Sequence, residues 1–252
     1  MKAVDSILNQ TVESDLFIYR DGEVTQELDD YLGQLSLNPQ ISIYCSDVNK
    51  GLAKGLNVLI NEALEQDYDY IARMDSDDIS RLDRFEKQIK LFESNPEVDV
   101  CGGFCSEFGS SFAIERKTLP LTHDELYKYS ITRCPFVHPT VMFRTKVFSR
   151  GIRYPTNTHF SEDMALWFLF LDKGFKFANV NDVILDYYLD ERTIERRKGF
   201  LKFISEFRLR SKYMFSLNEV SLYNIIHICS RFILHMSPPF LVKALYKSRQ
   251  FG

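Results

Sequence analysis

Residues 68–78 read Tyr-Asp-Tyr-Ile-Ala-Arg-Met-Asp-Ser-Asp-Asp. A short apolar run, Tyr70 to Met74, leads straight into three carboxylates, Asp75, Asp77 and Asp78. Three like charges this close repel, and burying them adds a desolvation cost, so they need a partner. A hard divalent cation, Mn²⁺ or Mg²⁺, meets that need and leaves coordination sites open for substrate phosphates. An acidic cluster at the C-terminal end of a strand also sits where open α/β sheets place their ligands. The competing reading is an acidic turn that caps a helix starting near Arg84.

Apolar periodicity organises the rest. Helices are expected at Ala3–Gln10, Thr25–Leu35, Lys50–Glu65 and Leu82–Ser94, the last stopped before Pro96. Strands are expected at Asp15–Tyr19, Ile41–Cys45, Tyr70–Met74 and Val98–Phe104. This alternation implies an α/β fold with a mostly parallel central sheet and flanking helices. Beyond Phe108 the pattern loosens. Thr122-His-Asp-Glu125 is a capping box, Thr140–Arg144 a strand, and Lys176–Tyr188 one or two closing strands. Residues 163–173 form a helix apolar nearly all round, hence buried.

Charge divides the chain in two. The last 62 residues hold 12 Lys/Arg against 4 Asp/Glu, and the first 190 carry the acidic excess. An acidic main body argues against a nucleic-acid partner. The basic, aromatic-rich tail, residues 191–252, is expected to form two or three amphipathic helices that suit an anionic membrane surface or pack on the main body. The five cysteines lack zinc-like spacing, and buried free thiols in a reducing cytoplasm are expected. No apolar run reaches the roughly 18 residues of a spanning helix, so any membrane association would be peripheral.

Five ordered blocks carry a resemblance: Asn49-Lys-Gly-Leu to Leu56-Asn57, Arg73-Met-Asp-Ser-Asp-Asp78, Arg84-Phe-Glu-Lys-Gln88, Cys134-Pro-Phe-Val-His-Pro-Thr140 and Ser161-Glu-Asp-Met-Ala-Leu-Trp167. Their order and spacing resemble the bacterial family 2 glycosyltransferases, which have the GT-A fold. The resemblance covers roughly residues 3–190, the expected GT-A-like domain, with residues 191–252 as a helical appendage. It implies sugar transfer from a nucleotide-diphosphate donor, a UDP-sugar favoured, to a saccharide or lipid-linked acceptor in surface-polysaccharide synthesis. It further implies that Asp77 and Asp75 bind the metal, that Asp21, Asn49, Gly51, Arg73 and Asp75 contact the donor, and that Asp78 supports the cluster. Glu162, His138 and Trp167 would face the acceptor. Asp163 would be the base of an inverting enzyme, since a carboxylate at a helix N-terminus is stabilised as an anion.

Each residue also has a plain structural alternative: an Asp-Gly turn for Asp21, a salt bridge for Arg73, a helix cap for Asp163, core packing for Trp167. Members of the family normally open with a strand and a loop that precede the helix at Lys2. Their absence here is expected to leave an open edge beside the central strand. It also keeps a non-catalytic remnant or binding partner in view. A nucleotidyltransferase is a further rival, opposed by the Glu162-Asp163 block.

Overall fold

A computed structural model describes residues 2–158, 161–190 and 199–248. The junction expected at residues 190–191 borders a segment outside the described residues. The elements run α1 (Lys2–Leu8), β1 (Leu16–Asp21), α2 (Gln26–Leu35), β2 (Ile41–Ser46), α3 (Leu52–Leu64), β3 (Tyr70–Ala72), β4 (Ile79–Ser80), α4 (Arg84–Ser94) and β5 (Val98–Phe108). Then come α5 (His123–Thr132), a 3₁₀ turn at His138–Thr140, β6 (Met142–Arg144), a second 3₁₀ turn at Thr145–Val147, α6 (Glu162–Asp172) and β7 (Lys176–Tyr188). Three helices close the chain: α7 (Phe200–Ser216), α8 (Leu222–Met236) and α9 (Pro239–Ser248).

The strands form two sheets. β1 and β2 pair in parallel, Leu16 opposite Ile41 through Asp21 opposite Ser46. The larger sheet has the order β3-β6-β5-β7-β4. Here the expectation of a mostly parallel sheet is corrected: β5–β7 is parallel, whereas β3–β6, β5–β6 and β4–β7 are antiparallel. The α/β class stands, but the sheet is mixed. The cause lies after β5, where β6 and β7 are reached through the loosely patterned stretch rather than through regular βαβ crossovers. The closing segment is one strand, β7, whose pairing with β5 shifts register at Gly103 and Phe104.

β1 and β3 do not pair. Between them lies a cavity of about 690 Å³, lined by Leu16 and Phe17 on one side and by Ile71, Arg73 and Met74 on the other, with Tyr154 also contributing. β3 is thus the terminal strand of its sheet.

α6 explains the core. Met164, Ala165, Leu166, Trp167, Phe168, Phe170 and Leu171 are all buried, because the helix packs against the sheet and is covered on nearly every side. Each large side chain buried this fully contributes on the order of 2 kcal/mol. Of the five free cysteines, Cys101 and Cys105 are buried as expected, but Cys45 and Cys229 are exposed. Those two sit on edge strand β2 and on the outer face of α8, where an apolar sequence neighbourhood does not imply burial.

The Arg84-Phe85-x-x-Gln88 block has a structural explanation. Arg84 and Gln88, one turn apart on α4, are both completely buried and hydrogen-bond each other at 3.0 Å. Arg84 donates to the carbonyls of Arg73 (2.9 Å) and Val141 (3.3 Å), and Gln88 to that of Thr140 (2.8 Å). The pair adds buried ties where β3 ends beside β6, the Val141 carbonyl also accepting from the Arg73 N–H. Burial pushes the Arg84 guanidinium down to about 9. The segment entering the acidic cluster is therefore pinned from below.

Candidate active site

β3 ends at Ala72, and the chain turns through the acidic residues before β4 begins at Ile79. Asp75, Asp77 and Asp78 each present a carboxylate oxygen within 4.8 Å of the others. Their exposure is graded: Asp77 is exposed, Asp75 half-buried and Asp78 buried. The gradient follows from the pairing of β4 with β7, which draws Asp78 inward. Asp78 Oδ1 accepts from the Tyr188 N–H at 2.7 Å, while its buried Oδ2 has no hydrogen-bond partner. Burial pushes the Asp78 carboxyl up to about 7. Asp75 and Asp77 add to this, and the Tyr188 N–H and Arg73 oppose it. Three converging hard oxygens, one of them buried and orphaned, fit a divalent cation.

That balance has a consequence for stability. The folded-state value for Asp78 lies above its unfolded value of 3.8, so the folded state binds more proton between roughly pH 4 and pH 7 and metal-free stability falls as pH rises through that window. We expect the wild-type melting temperature to fall relative to Asp78→Asn between about pH 4.5 and pH 8. Mn²⁺ should restore it at the alkaline end. Parallel curves for the two proteins would remove Asp78 from the cluster's electrostatics.

Arg73 is buried and forms an ion pair with Asp75, and its N–H donates to Val141 O at 2.9 Å. Its Nε and Nη1 are buried without hydrogen-bond partners. Its charge acts well beyond that one pair: it opposes the raised carboxyl values of Asp78 and Glu162 and helps hold His138 below its ordinary range. The charge of one buried cation is thus felt by Asp78 and by Glu162, which are far apart in sequence.

The second group opens α6. Glu162 and Asp163 follow the N-cap Ser161. Burial chiefly, then Asp163, raises the Glu162 carboxyl. Asp163 Oδ1 accepts from the Met164 N–H at 2.7 Å, and its Oδ2 faces the Cys134 thiol at 3.9 Å. Asp163 thus serves the first turn of α6 with one oxygen and is half-buried.

Tyr154 stands between the two groups, and sequence reasoning missed it. It is buried, its hydroxyl meets His138 Nε2 at 2.8 Å, and burial pushes its phenol above the usual range. Asp163, Asp75 and Glu162 all add to that rise. Asn57 on α3 clamps its backbone from both sides, accepting from the Tyr154 N–H at 2.8 Å and donating to its carbonyl at 2.9 Å. The only sequence signal was Asn57 itself, which closes the first quoted block.

His138 is held well below its ordinary value, chiefly by burial, and is therefore neutral. Trp167 is 0 % exposed, packed against Phe136 at 5.1 Å, Phe143 at 5.8 Å and His138 at 5.9 Å. The expectation that Trp167 faces an acceptor is corrected: it is core, and it reaches the site only by supporting His138.

Asp21, Asn49 and Gly51 come together at the end of the two-stranded sheet. Asp21 accepts from the Lys50 N–H (2.7 Å) and the Gly51 N–H (2.8 Å), tying β1 to the start of α3. Gly51 has φ +89°, which a side chain would strain. Asp21 is thus at least a strut, and Asn49 remains exposed beside it.

Residues 2–153 match the family described as Glycosyl transferase family 2. The chain belongs to this family. A UDP-Gal:alpha-D-GlcNAc-diphosphoundecaprenol beta-1,3-galactosyltransferase from Escherichia coli is 32% identical, with 98% of this chain and 89% of that protein aligned. An amylovoran biosynthesis glycosyltransferase from Erwinia amylovora is 28% identical, with 100% and 93% aligned. Among solved structures, S. aureus TarS 1-349 in complex with UDP-GlcNAc superposes with TM-score 0.63 at 12% identity, covering 92% of this chain and 66% of that one. The mannosyltransferase PcManGT from Pyrobaculum calidifontis, in complex with GDP-Man and Mn2+, gives 0.56 at 11% identity, covering 98% and 79%. The family 2 chain therefore has the GT-A-like fold and is a glycosyltransferase.

Proposed function

We propose that this glycosyltransferase moves a sugar from a nucleotide-diphosphate donor, a UDP-sugar in the first instance, to a hydroxyl of a saccharide or lipid-linked acceptor in surface-polysaccharide synthesis. One observation carries the reading. The carboxylates of Asp75, Asp77 and Asp78 converge, and the charges of Asp75, Glu162 and Asp163 all bear on the buried Tyr154 hydroxyl, which meets His138. Asp77 and Asp75 would hold a divalent cation, Mn²⁺ or Mg²⁺, with Asp78 behind them. When bound, it neutralises charge on the departing diphosphate as a Lewis acid.

The chain's own residues do the rest. Arg73 fixes Asp75 and offers unsatisfied N–H groups beside the phosphate position. Asn49 and Gly51 border the donor, with Asp21 holding their loop. Asp163 takes the proton of the acceptor hydroxyl as it attacks the anomeric carbon, in one inverting displacement. Neutral His138, fixed by Tyr154, and Glu162 orient the acceptor. A lipid-linked acceptor would place the protein on the cytoplasmic, anionic face of a membrane.

A hydrolysis and transfer screen with UDP-, GDP- and dTDP-sugars, with Mn²⁺ or EDTA, tests this. Turnover of one donor class that EDTA abolishes is the expected outcome. No turnover with any donor, alongside a folded protein, would return the non-catalytic reading.

A further inference from the structure

α8 is a helix turned inside out. Its inward face carries Asn224, Ile228, Arg231 and His235, spaced by four, three and four residues. That face is polar because it docks on charge. Glu206 on α7 pairs with Arg231 at 2.7 Å, and Arg210 (3.7 Å) and His235 (3.7 Å) adjoin the same carboxylate. Burial pushes the Glu206 carboxyl up, but these three neighbours outweigh it and hold it well below the ordinary range. Arg210 also donates to the carbonyls of Ser130 (3.1 Å) and Ile131 (2.8 Å), and Arg231 to Thr132 (3.2 Å). These cations cap the C-terminal end of α5, where the helix dipole favours positive charge.

The outward face is the apolar one. Leu222, Ile226, Cys229, Ile233 and Met236 form a single stripe at helical spacing, and Leu222 and Ile233 are 74% and 66% exposed. Tyr223, Ile225, Phe232 and Leu234 widen it, and Phe240 and Leu241 follow at the head of α9, also exposed. An apolar stripe this long costs solubility unless something covers it.

We propose that this face of α8 lies in the interface of an anionic lipid bilayer. The helix has 15 residues, about 22 Å in length, short of the roughly 30 Å of a hydrocarbon core. It can lie along a membrane but not cross one, and no helix among the described residues is long and apolar enough to cross. The charge around it selects the occupant. From Val220 to Gly252 the sequence has no Asp or Glu, and besides the inward-facing Arg231 it carries Lys243, Lys247 and Arg249. A second copy docked symmetrically would set this basic segment against itself. Anionic headgroups complement it. The surface also lies near the catalytic machinery: α7 carries α8 and packs on α6, whose first turn holds Asp163. The donor site's identity does not enter this argument.

The test is flotation of the full chain with vesicles of phosphatidylcholine containing about 30% phosphatidylglycerol, and with phosphatidylcholine alone. Wild type should float with the anionic vesicles and less with neutral ones, and rising salt should weaken the binding. Ile226→Asp/Ile233→Asp should bind at least about tenfold more weakly, with an unchanged melting temperature and unchanged donor hydrolysis in solution. Unchanged vesicle binding by the double variant would overturn the proposal, as would failure of the wild type to float. A wild-type dimer that the same substitutions make monomeric, with no vesicle binding, would assign the face to a second copy instead.

Discussion

Asp163→Asn should lower turnover by roughly 10²–10⁴ while donor affinity stays near wild type, the scale on which a general base contributes. The expectation is sharp because the substitution keeps the local structure. An amide oxygen still accepts from the Met164 N–H at the start of α6, the bond that Asp163 Oδ1 makes now. Only the basic carboxylate is lost. Melting temperature and the KM for the donor should therefore hold while kcat falls. A fall in stability and donor binding together would make Asp163 a cap and nothing more.

Asp77→Asn has a larger effect on binding. Asp77 is the exposed member of the cluster, the carboxylate most open to a cation arriving from solvent. An amide is a poor ligand for a hard cation. Loss of an outer-sphere partner already costs about 10–100-fold in metal affinity, and loss of a direct ligand costs more. Mn²⁺-dependent nucleotide binding should weaken at least about 100-fold and transfer should vanish. Isothermal titration of the variant checks this, and metal-dependent affinity equal to wild type would exclude Asp77 from the site.

The acidic cluster was legible in the sequence because its signal is local. Three carboxylates after a short strand leave few physical solutions, and α6 was legible because a helix apolar all round has to be buried. What sequence missed is what the tertiary fold decides. Tyr154, in an ordinary Arg-Tyr-Pro run, acquires its place only because Asn57, 97 residues earlier, grips its backbone. Trp167 looked like an acceptor platform because it belongs to the Glu162-Asp163 block. Its depth depends on Phe136, Phe143 and Phe177, which come from other elements. The strand directions after β5 were hidden because β6 has three residues and carries no periodicity of its own. The tail packs on the main body through α7 and α8. α7 buries apolar residues such as Tyr213 and Met214, whereas α8 turns Asn224, Arg231 and His235 inward and most of its apolar residues out, the reverse of what an amphipathic pattern suggests for a helix on a soluble core.

The central claim is that the acidic cluster is the metal-dependent donor site of an active site whose Glu162–Asp163 pair serves the acceptor. Calorimetric titration of the wild-type protein with UDP, first in EDTA and then in Mn²⁺, tests it most directly. The account predicts saturable binding in Mn²⁺ with one nucleotide per chain, lost in EDTA. Equal affinity in both buffers, or no binding in either by a protein that melts cooperatively, would contradict it.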